Sequence, residues 1–381
     1  KNNIKLVIMC TYISHNLQSL MFDLICKYSN IKQVFFYHSS ELPGNLDNYI
    51  VPLVQNCDFK KRKIIGLNFS KFSFKKFLIS KRDDLVALSG EKVSKFKSYY
   101  KEYFYSRSLI LSIIKSIIYY SYANLRRKIF KVFNSEYYFM DIMNYSVNTH
   151  IRQIYQQNKS MAFYVKKTKQ FHELPRKHYL MIAAHNQPEA SSYPMGQEWN
   201  NHIDILLEIR KKNYKQPILY KEHSTNFNYY DAIIHHGRKG TNRSIDYYKN
   251  LLFLNSIFLS ENHNIFSSET LKYILPVTIS GTVAIERSLL GYKTIYFGYP
   301  IWAGLPGTIH INEINNFSNI KKYLTQDKEI SKRSINFLCK MLDNKVINNS
   351  IEMHAVAWKG KNGHAQFVKS LKKIIKNCKT L

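Results

Sequence analysis

Three short motifs in the second half of the chain contain polar side chains suited to binding a phosphate and to moving a proton. Each motif follows directly after a short apolar run, which is typical of a buried strand. The motifs are QPEASSYPMG at 187–196, YKEHST at 220–225 and SGTVAIERSLLG at 280–291.

The first motif places a carboxylate in a loop. His185 closes the apolar run, and Gln187 and Glu189 follow it, with Pro188 restricting the backbone before the acid. A carboxylate fixed in this way could serve as a general base, a nucleophile or the electrostatic partner of a cationic transition state. The alternatives are a helix N-cap or an ion pair in a basic protein. Of these we take Glu189 as a candidate catalytic residue.

The second motif combines a cation, an acid and an imidazole. Lys221, Glu222 and His223 follow an apolar run directly. A lysine and a histidine at the end of a strand suit a phosphate or a leaving group. A single histidine there would more often be structural, but the cluster favours a functional role. We predict His223 as catalytic and Lys221 and Glu222 as substrate-binding.

The third motif is typical of a turn between a strand and a helix. Ser280, Gly281 and Thr282 would lie where free backbone N–H groups favour a phosphate. Glu286 comes four residues after Thr282, about one helical turn later, and could accept hydrogen bonds from ribose hydroxyls. Equally, the hydroxyls could cap the helix and Glu286 could complete a capping box.

Alternating strand and helix patterns surround these motifs from residue 178 to residue 298. Apolar runs predict strands, and amphipathic or buried segments between them predict helices. This alternation indicates an α/β fold with a doubly wound parallel sheet, in which ligands bind at the carboxyl ends of the strands. The polar, lysine-rich segment 157–175 is interpreted as a link between domains.

The first half of the chain begins with a strand, helix and strand pattern and then turns helical between residues 76 and 133. The sequence therefore predicts two α/β halves, with extra helices in the N-terminal half. The predicted divisions are 1–165, 166–345 and a helical tail at 346–381.

The charge balance suggests an anionic partner. The 56 Lys and Arg residues exceed the 26 Asp and Glu residues, giving a formal net charge of +30. A nucleic acid, an anionic membrane face or a phosphorylated small molecule would each fit such a surface. Codon bias in an AT-rich genome would also enrich lysine. No nucleic-acid motif is present and the basic residues are spread along the chain, so a nucleic-acid-binding protein is the alternative rather than the prediction.

Cysteine usage and hydropathy indicate the compartment. The five cysteines are scattered without a C-x-x-C pair, which is typical of reduced cytosolic thiols. The longest apolar segment, around Lys115, is shorter than the roughly 20 residues of a membrane span. We expect a cytoplasmic protein. The pair His235 and His236 lacks a third ligand at the expected spacing, so no metal is expected.

Taken in this order, the three motifs resemble the capsule polysaccharide synthesis family of GT-B glycosyltransferases, which includes bacterial β-Kdo transferases. The corresponding family patterns are roughly QPEATTSPLG, VKEHP and TGTxGWEALLxGKPVIVFG. The segment NRSIDYYKNL is similar to the family's Arg-Ser and Tyr segment and points to Arg243. Ser224 replaces the family's proline, and Ile285 replaces its tryptophan. The resemblance covers about residues 180–307. It implies a GT-B-like α/β fold with two Rossmann-like domains facing a central cleft, in which 1–165 would be the acceptor-side domain and 166–345 the nucleotide-sugar-binding domain.

The resemblance implies a metal-independent glycosyltransferase that moves a sugar, such as Kdo or another nonulosonate from a CMP-sugar, onto a capsule, lipopolysaccharide or other surface glycan. A UDP-sugar or GDP-sugar donor is the alternative. The implied partners are the nucleotide sugar and a glycan or glycolipid acceptor, with no cofactor and no nucleic acid. The basic surface could contact the cytoplasmic face of an anionic inner membrane. His185 and Gln187 would then be substrate-binding residues.

Overall fold

The computed structural model describes a large part of the chain. The described ranges are 6–9, 31–38, 49–55, 63–64, 74–90, 147–185, 195–223, 243–261, 263–343 and 347–348, together with residues 25, 26, 28, 29, 113, 114, 117, 118, 121 and 372. All structural statements below concern these residues.

The described strands form two sheets. They are β1 (Leu6–Met9), β2 (Lys32–His38), β3 (Tyr49–Gln55), β4 (Lys63–Ile64), β5 (Thr168–Lys169), β6 (Tyr179–Ala183), β7 (Ile218–Lys221), β8 (Ser256–Leu259), β9 (Ile274–Thr278), β10 (Thr294–Tyr296), β11 (Thr308–His310) and β12 (Ile347–Asn348).

Seven helices have described bounds, and short 3₁₀ turns lie between them. The helices are α1 (Lys75–Gly90), α2 (Val147–Lys167), α3 (His202–Lys211), α4 (Ile245–Phe253), α5 (Ser268–Tyr273), α6 (Val283–Leu289) and α7 (Lys328–Leu342).

The larger sheet has seven parallel strands in the order β11-β10-β9-β6-β7-β8-β5. When the strands are numbered along the chain from β6 as strand 1, the series β8-β7-β6-β9-β10-β11 has the order 3-2-1-4-5-6 of a doubly wound fold. β5 is added at the edge, beside β8. Each strand and helix expected between residues 178 and 298 is present near its predicted position. The prediction of an α/β fold with a doubly wound parallel sheet is therefore confirmed.

The smaller sheet is mixed. β1 pairs with β2 in parallel, as the sequence predicts, but β3 is antiparallel to β2 and to β12. Only residues 39–48 separate β2 from β3, and a parallel crossover needs about a dozen residues or more. This half therefore departs from the parallel strands of a Rossmann-like domain.

The described residues belong to two compact units, and each is discontinuous along the chain. The first unit is drawn from 1–90, 189–214 and 266–381, and the second from 91–188 and 215–265. The sequence-based divisions at 165 and 345 stay a prediction.

The segment interpreted as a link between domains has regular structure instead. Residues 157–167 continue α2, and Tyr164 within it is fully buried. Its lysines are exposed, so the polar composition marks the solvated face of a helix rather than a connection. None of the helices in the described ranges is long and apolar enough to cross a membrane.

Candidate functional site

In the second unit, the carboxyl ends of three neighbouring strands are level with one another. Ala183 of β6 pairs with Lys221 of β7, and Lys221 pairs with Leu259 of β8. The backbone N–H of Ala184 extends this ladder by donating to the carbonyl of Lys221 at 3.0 Å. The residues that follow each strand therefore leave the sheet at one common edge.

A tyrosine from α2 joins two of these strand ends. The Tyr164 hydroxyl donates to the carbonyl of Leu259 at 2.6 Å and accepts from the backbone N–H of Glu222 at 3.0 Å. Burial raises the pKa of Tyr164 well above its ordinary value, so the hydroxyl keeps its proton. One side chain thus satisfies backbone groups at the end of β7 and the end of β8.

Glu222 lies at the centre of a buried network. It is fully buried, and its Oε2 accepts from Arg243 Nε at 2.9 Å, from the Tyr248 hydroxyl at 2.8 Å and from the Tyr220 hydroxyl at 3.2 Å. Its Oε1 accepts from the backbone N–H of His223 at 2.8 Å. Both oxygens are therefore occupied by protein donors, so the carboxylate fixes its neighbours.

Arg243 connects this network to the end of β6. It is 3% exposed, its Nη2 donates to the carbonyl of His185 at 2.9 Å, and its guanidinium lies 4.9 Å from the ring centre of Tyr247. A planar guanidinium can donate in several directions at once, which a lysine cannot do. Arg243 thereby holds the residues that follow β6 and β7 in fixed positions.

The first imidazole at this edge is neutral at physiological pH. Burial, together with the nearby imidazole of His223 and guanidinium of Arg243, lowers the pKa of His185 to about 3. A neutral imidazole can donate and accept one hydrogen bond each, whereas a charged one only donates. His185 is therefore suited to a hydroxyl partner.

Lys221 lies among groups that partly offset its burial. Burial lowers the pKa of Lys221 to about 8, while Glu261 and Glu222 act to raise it. The next imidazole along this edge is His263, whose pKa is lowered to about 3 by burial and by Lys221. The Lys221 residue as a whole is half-buried.

In the first unit, the Ser280 loop follows β9. Ser280 is buried, and the backbone N–H of Gly281 donates to Thr278 Oγ1 at 3.0 Å. Thr282 occupies the N-cap position of α6, but its side chain makes no capping hydrogen bond and no capping box forms with Glu286. Neither the Thr282 hydroxyl nor a capping box with Glu286 therefore caps α6.

Glu286 is also a buried acid, but its surroundings differ from those of Glu222. It is 9% exposed, and burial raises its pKa to about 7, with Lys81 of α1 acting against the rise. Within the described ranges, no hydrogen-bond donor reaches its carboxylate. A buried acid without donors is costly, and such perturbed groups concentrate at functional sites.

The end of the first motif packs tightly against β10. A Cβ at Gly298 would lie 2.6 Å from the carbonyl oxygen of Met195, so only glycine fits there. The backbone N–H of Tyr299 donates to the same carbonyl at 2.7 Å. The end of the motif at Met195 is therefore anchored at the carboxyl end of a strand in the first unit.

The predicted site residues fall into three groups. His185, Lys221, Glu222, His223 and Arg243 come together in the second unit, and Ser280, Gly281, Thr282 and Glu286 come together in the first. Gln187 and Glu189 lie outside the described residues, so their assignments stay predictions.

Sequence reasoning missed several residues that shape these groups. They are Tyr164, Tyr248, Glu261, His263 and Lys81. Glu261 and His263 had a detectable signal, since they follow an apolar run just as Lys221 does. Tyr164 and Lys81 had none, because each comes from a helix distant in sequence.

The described residues contain no group of three or more His, Cys, Asp or Glu side chains that could hold a metal ion. No protein-family model matches the chain, and neither a curated protein nor a solved structure shows significant similarity to it.

Proposed function

We propose that the protein is a metal-independent glycosyltransferase that takes a sugar from a nucleotide-sugar donor. The observation that carries the proposal is the position of its polar motifs. His185, Lys221 to His223 and Ser280 to Thr282 each follow the carboxyl end of a strand in a sheet with doubly wound order. Sheets of this kind bind their ligands at the carboxyl ends of the strands.

The Ser280 loop and Glu286 are proposed to hold the donor nucleotide. Thr282 makes no capping hydrogen bond, so its hydroxyl is available to a phosphate oxygen. Glu286 lacks donors within the described residues, and ribose hydroxyls would supply two. Ligand binding would thereby supply donors to a carboxylate that receives none from the described residues.

Lys221 and His223 are proposed to stabilise the departing nucleotide. Lys221 and His223 supply a cation and an imidazole, and they offset the negative charge that develops on the leaving phosphate. Glu222 and Arg243, which are held by each other, fix the backbone of His223 and His185. We therefore assign them a positioning role within the site.

The resemblance of the motifs supports CMP as the nucleotide and Kdo or another nonulosonate as the sugar. The acceptor would be a growing surface glycan or glycolipid. A cytoplasmic enzyme that meets a lipid-linked acceptor at the inner membrane would also use the net charge of +30. The proposal carries with it the two-domain GT-B organisation of that family.

The donor is tested by incubating the full chain with CMP-Kdo, UDP-sugars and GDP-sugars, each with lipopolysaccharide and capsule acceptors. We expect release of CMP and transfer of the nonulosonate. Turnover with a UDP-sugar or GDP-sugar alone would support a glycosyltransferase but show that its donor is not a CMP-sugar. Steeply salt-dependent binding of DNA, with no turnover of any donor, would favour the nucleic-acid alternative.

Glu189 is tested by Glu189→Gln. We expect loss of transfer by at least about 100-fold, the usual contribution of a general base, with CMP binding retained. The matched control is Glu198→Gln, because Glu198 is an exposed acid on the same stretch of chain. Retained activity in Glu189→Gln would remove Glu189 from the mechanism.

A further inference from the structure

An apolar helical face in the second unit is exposed to solvent, and none of the three motifs contains it. Ile113, Ile114, Ile117, Ile118 and Ser121 are helical. Ile114, Ile117 and Ile118 are 47%, 43% and 64% exposed. Residues three and four apart lie on the same side of a helix, so these three isoleucines form one apolar surface.

Exposure of such a surface is unusual for a helix of a globular domain. A helix that packs on a core buries its large apolar side chains and presents polar residues to solvent. α2 of the same unit follows that rule, because Tyr164 is fully buried while Lys166 and Lys167 are exposed. An apolar surface that the fold leaves exposed marks a contact with another molecule or with a membrane.

The charge of the surrounding sequence indicates that this contact is anionic. No acid lies between Glu102 and Glu136, and every charged residue in that stretch is basic. The basic residues are Arg107, Lys115, Arg126, Arg127, Lys128 and Lys131. A nucleic acid would bind these cations but leave the isoleucines in water, whereas an anionic lipid surface accommodates both kinds of side chain.

We propose that Ile114, Ile117 and Ile118 insert into the interface of a membrane that contains anionic lipids, and that the basic residues from 107 to 131 bind the lipid headgroups. A helix that docks in this way lies in the plane of the interface, with its apolar face towards the acyl chains. Membrane docking by this face does not depend on sugar transfer, so it is tested separately from the proposed activity.

Docking is tested by flotation of the full chain with vesicles of phosphatidylglycerol and phosphatidylcholine, without any sugar donor. We expect the apparent affinity to be at least about tenfold weaker for vesicles of phosphatidylcholine alone, because each basic residue near an anionic surface adds attraction. High salt should release part of the bound protein by screening these charges. Absence of flotation with the anionic vesicles would overturn the proposal.

The apolar face is tested by the triple variant Ile114→Ala, Ile117→Ala, Ile118→Ala. Alanine favours the helix, and the three positions are exposed, so the variant should fold. We expect its affinity for anionic vesicles to fall by at least about tenfold, since less apolar surface leaves water on docking. Retained affinity would overturn these isoleucines as the docking surface.

The matched control is the double variant Val165→Ala, Phe253→Ala. It shortens two exposed apolar side chains of the same unit that lie on other helices, so it should float like the unaltered chain. Urea unfolding of both variants shows whether they retain the fold.

Ile118→Trp provides a second test that keeps the face apolar. Tryptophan favours the membrane interface, so this variant should bind anionic vesicles more tightly, and its fluorescence should shift to shorter wavelength when they are added. No shift would overturn insertion at this position. Self-association that the triple variant abolishes, without flotation of the unaltered chain, would assign the face to a second copy instead.

Discussion

Glu222 and Glu286 are both buried acids next to polar motifs, yet their surroundings differ. Glu222 receives donors from Arg243 and two tyrosines and from the backbone of His223. Glu286 receives none from the described residues, and its pKa rises to about 7. Glu222, whose two oxygens both accept hydrogen bonds, stabilises its unit. Glu286 receives no donor from the described residues, so its oxygens can accept hydrogen bonds from a ligand.

Breaking the Glu222 network should have the largest effect. Glu222→Ala leaves the guanidinium of Arg243 buried without its counter-charge, and losing one partner of a buried pair typically costs about 3–5 kcal/mol. Urea unfolding of the purified chain measures the loss. Asp246→Ala is the control, because its pair with Lys249 is exposed and should change stability little.

The double variant Glu222→Gln, Arg243→Met separates the cost of an unpaired buried charge from the contribution of the ion pair. It removes both charges together, so it should be more stable than Glu222→Ala although it lacks the ion pair. A Glu222→Ala chain as stable as the unaltered one would show that the network contributes nothing to the scaffold.

The comparison predicts the opposite result at Glu286, where Glu286→Gln should stabilise the chain in a pH-dependent way. The folded state holds the pKa near 7, against an ordinary value of 4.5, so the acid form is favoured by folding. The free energy lost by ionising Glu286 in the folded state therefore grows as the pH rises from 4.5 to 7 and is constant above 7. Between pH 5 and pH 8 the advantage of the variant should grow by about 2–3 kcal/mol.

Urea unfolding at pH 5 and at pH 8 measures this advantage. Glu269→Gln, at an exposed acid of α5, is the control and should behave like the unaltered chain at both pH values. An advantage for Glu286→Gln that is equal at pH 5 and pH 8 would contradict the raised pKa. Added CMP should reduce the advantage if ribose hydroxyls satisfy the carboxylate.

The smallest effect is expected for Tyr164→Phe. The change keeps the ring, which stacks on Phe258 at 4.9 Å, and removes only the hydroxyl. The N–H of Glu222 and the carbonyl of Leu259 then lose a partner in a buried place, which costs about 1–3 kcal/mol. Thermal unfolding measures the loss, and Tyr155→Phe on the exposed face of α2 is the matched control.

Local patterns predicted the parallel sheet because its strands are short apolar runs bounded by polar turns. They failed where contacts with another element decide the structure. β3 contains Pro52, which lacks a backbone donor and argues against an interior strand, yet Pro52 pairs with Phe36 of β2. The segment 157–167 has a polar composition, but Tyr164 joins two strand ends that follow it by more than 50 residues.

The sequence by itself determined the α/β alternation, the positions of most strands and the fact that polar motifs follow them, because hydrophobic periodicity and turn residues are local properties. Only the tertiary structure decided which acids are satisfied. Glu222 and Glu286 have the same side chain in similar sequence settings. Glu222 has donors because other elements bring Arg243 and Tyr248 to it. At Glu286, desolvation raises the pKa and the charge of Lys81 opposes the rise.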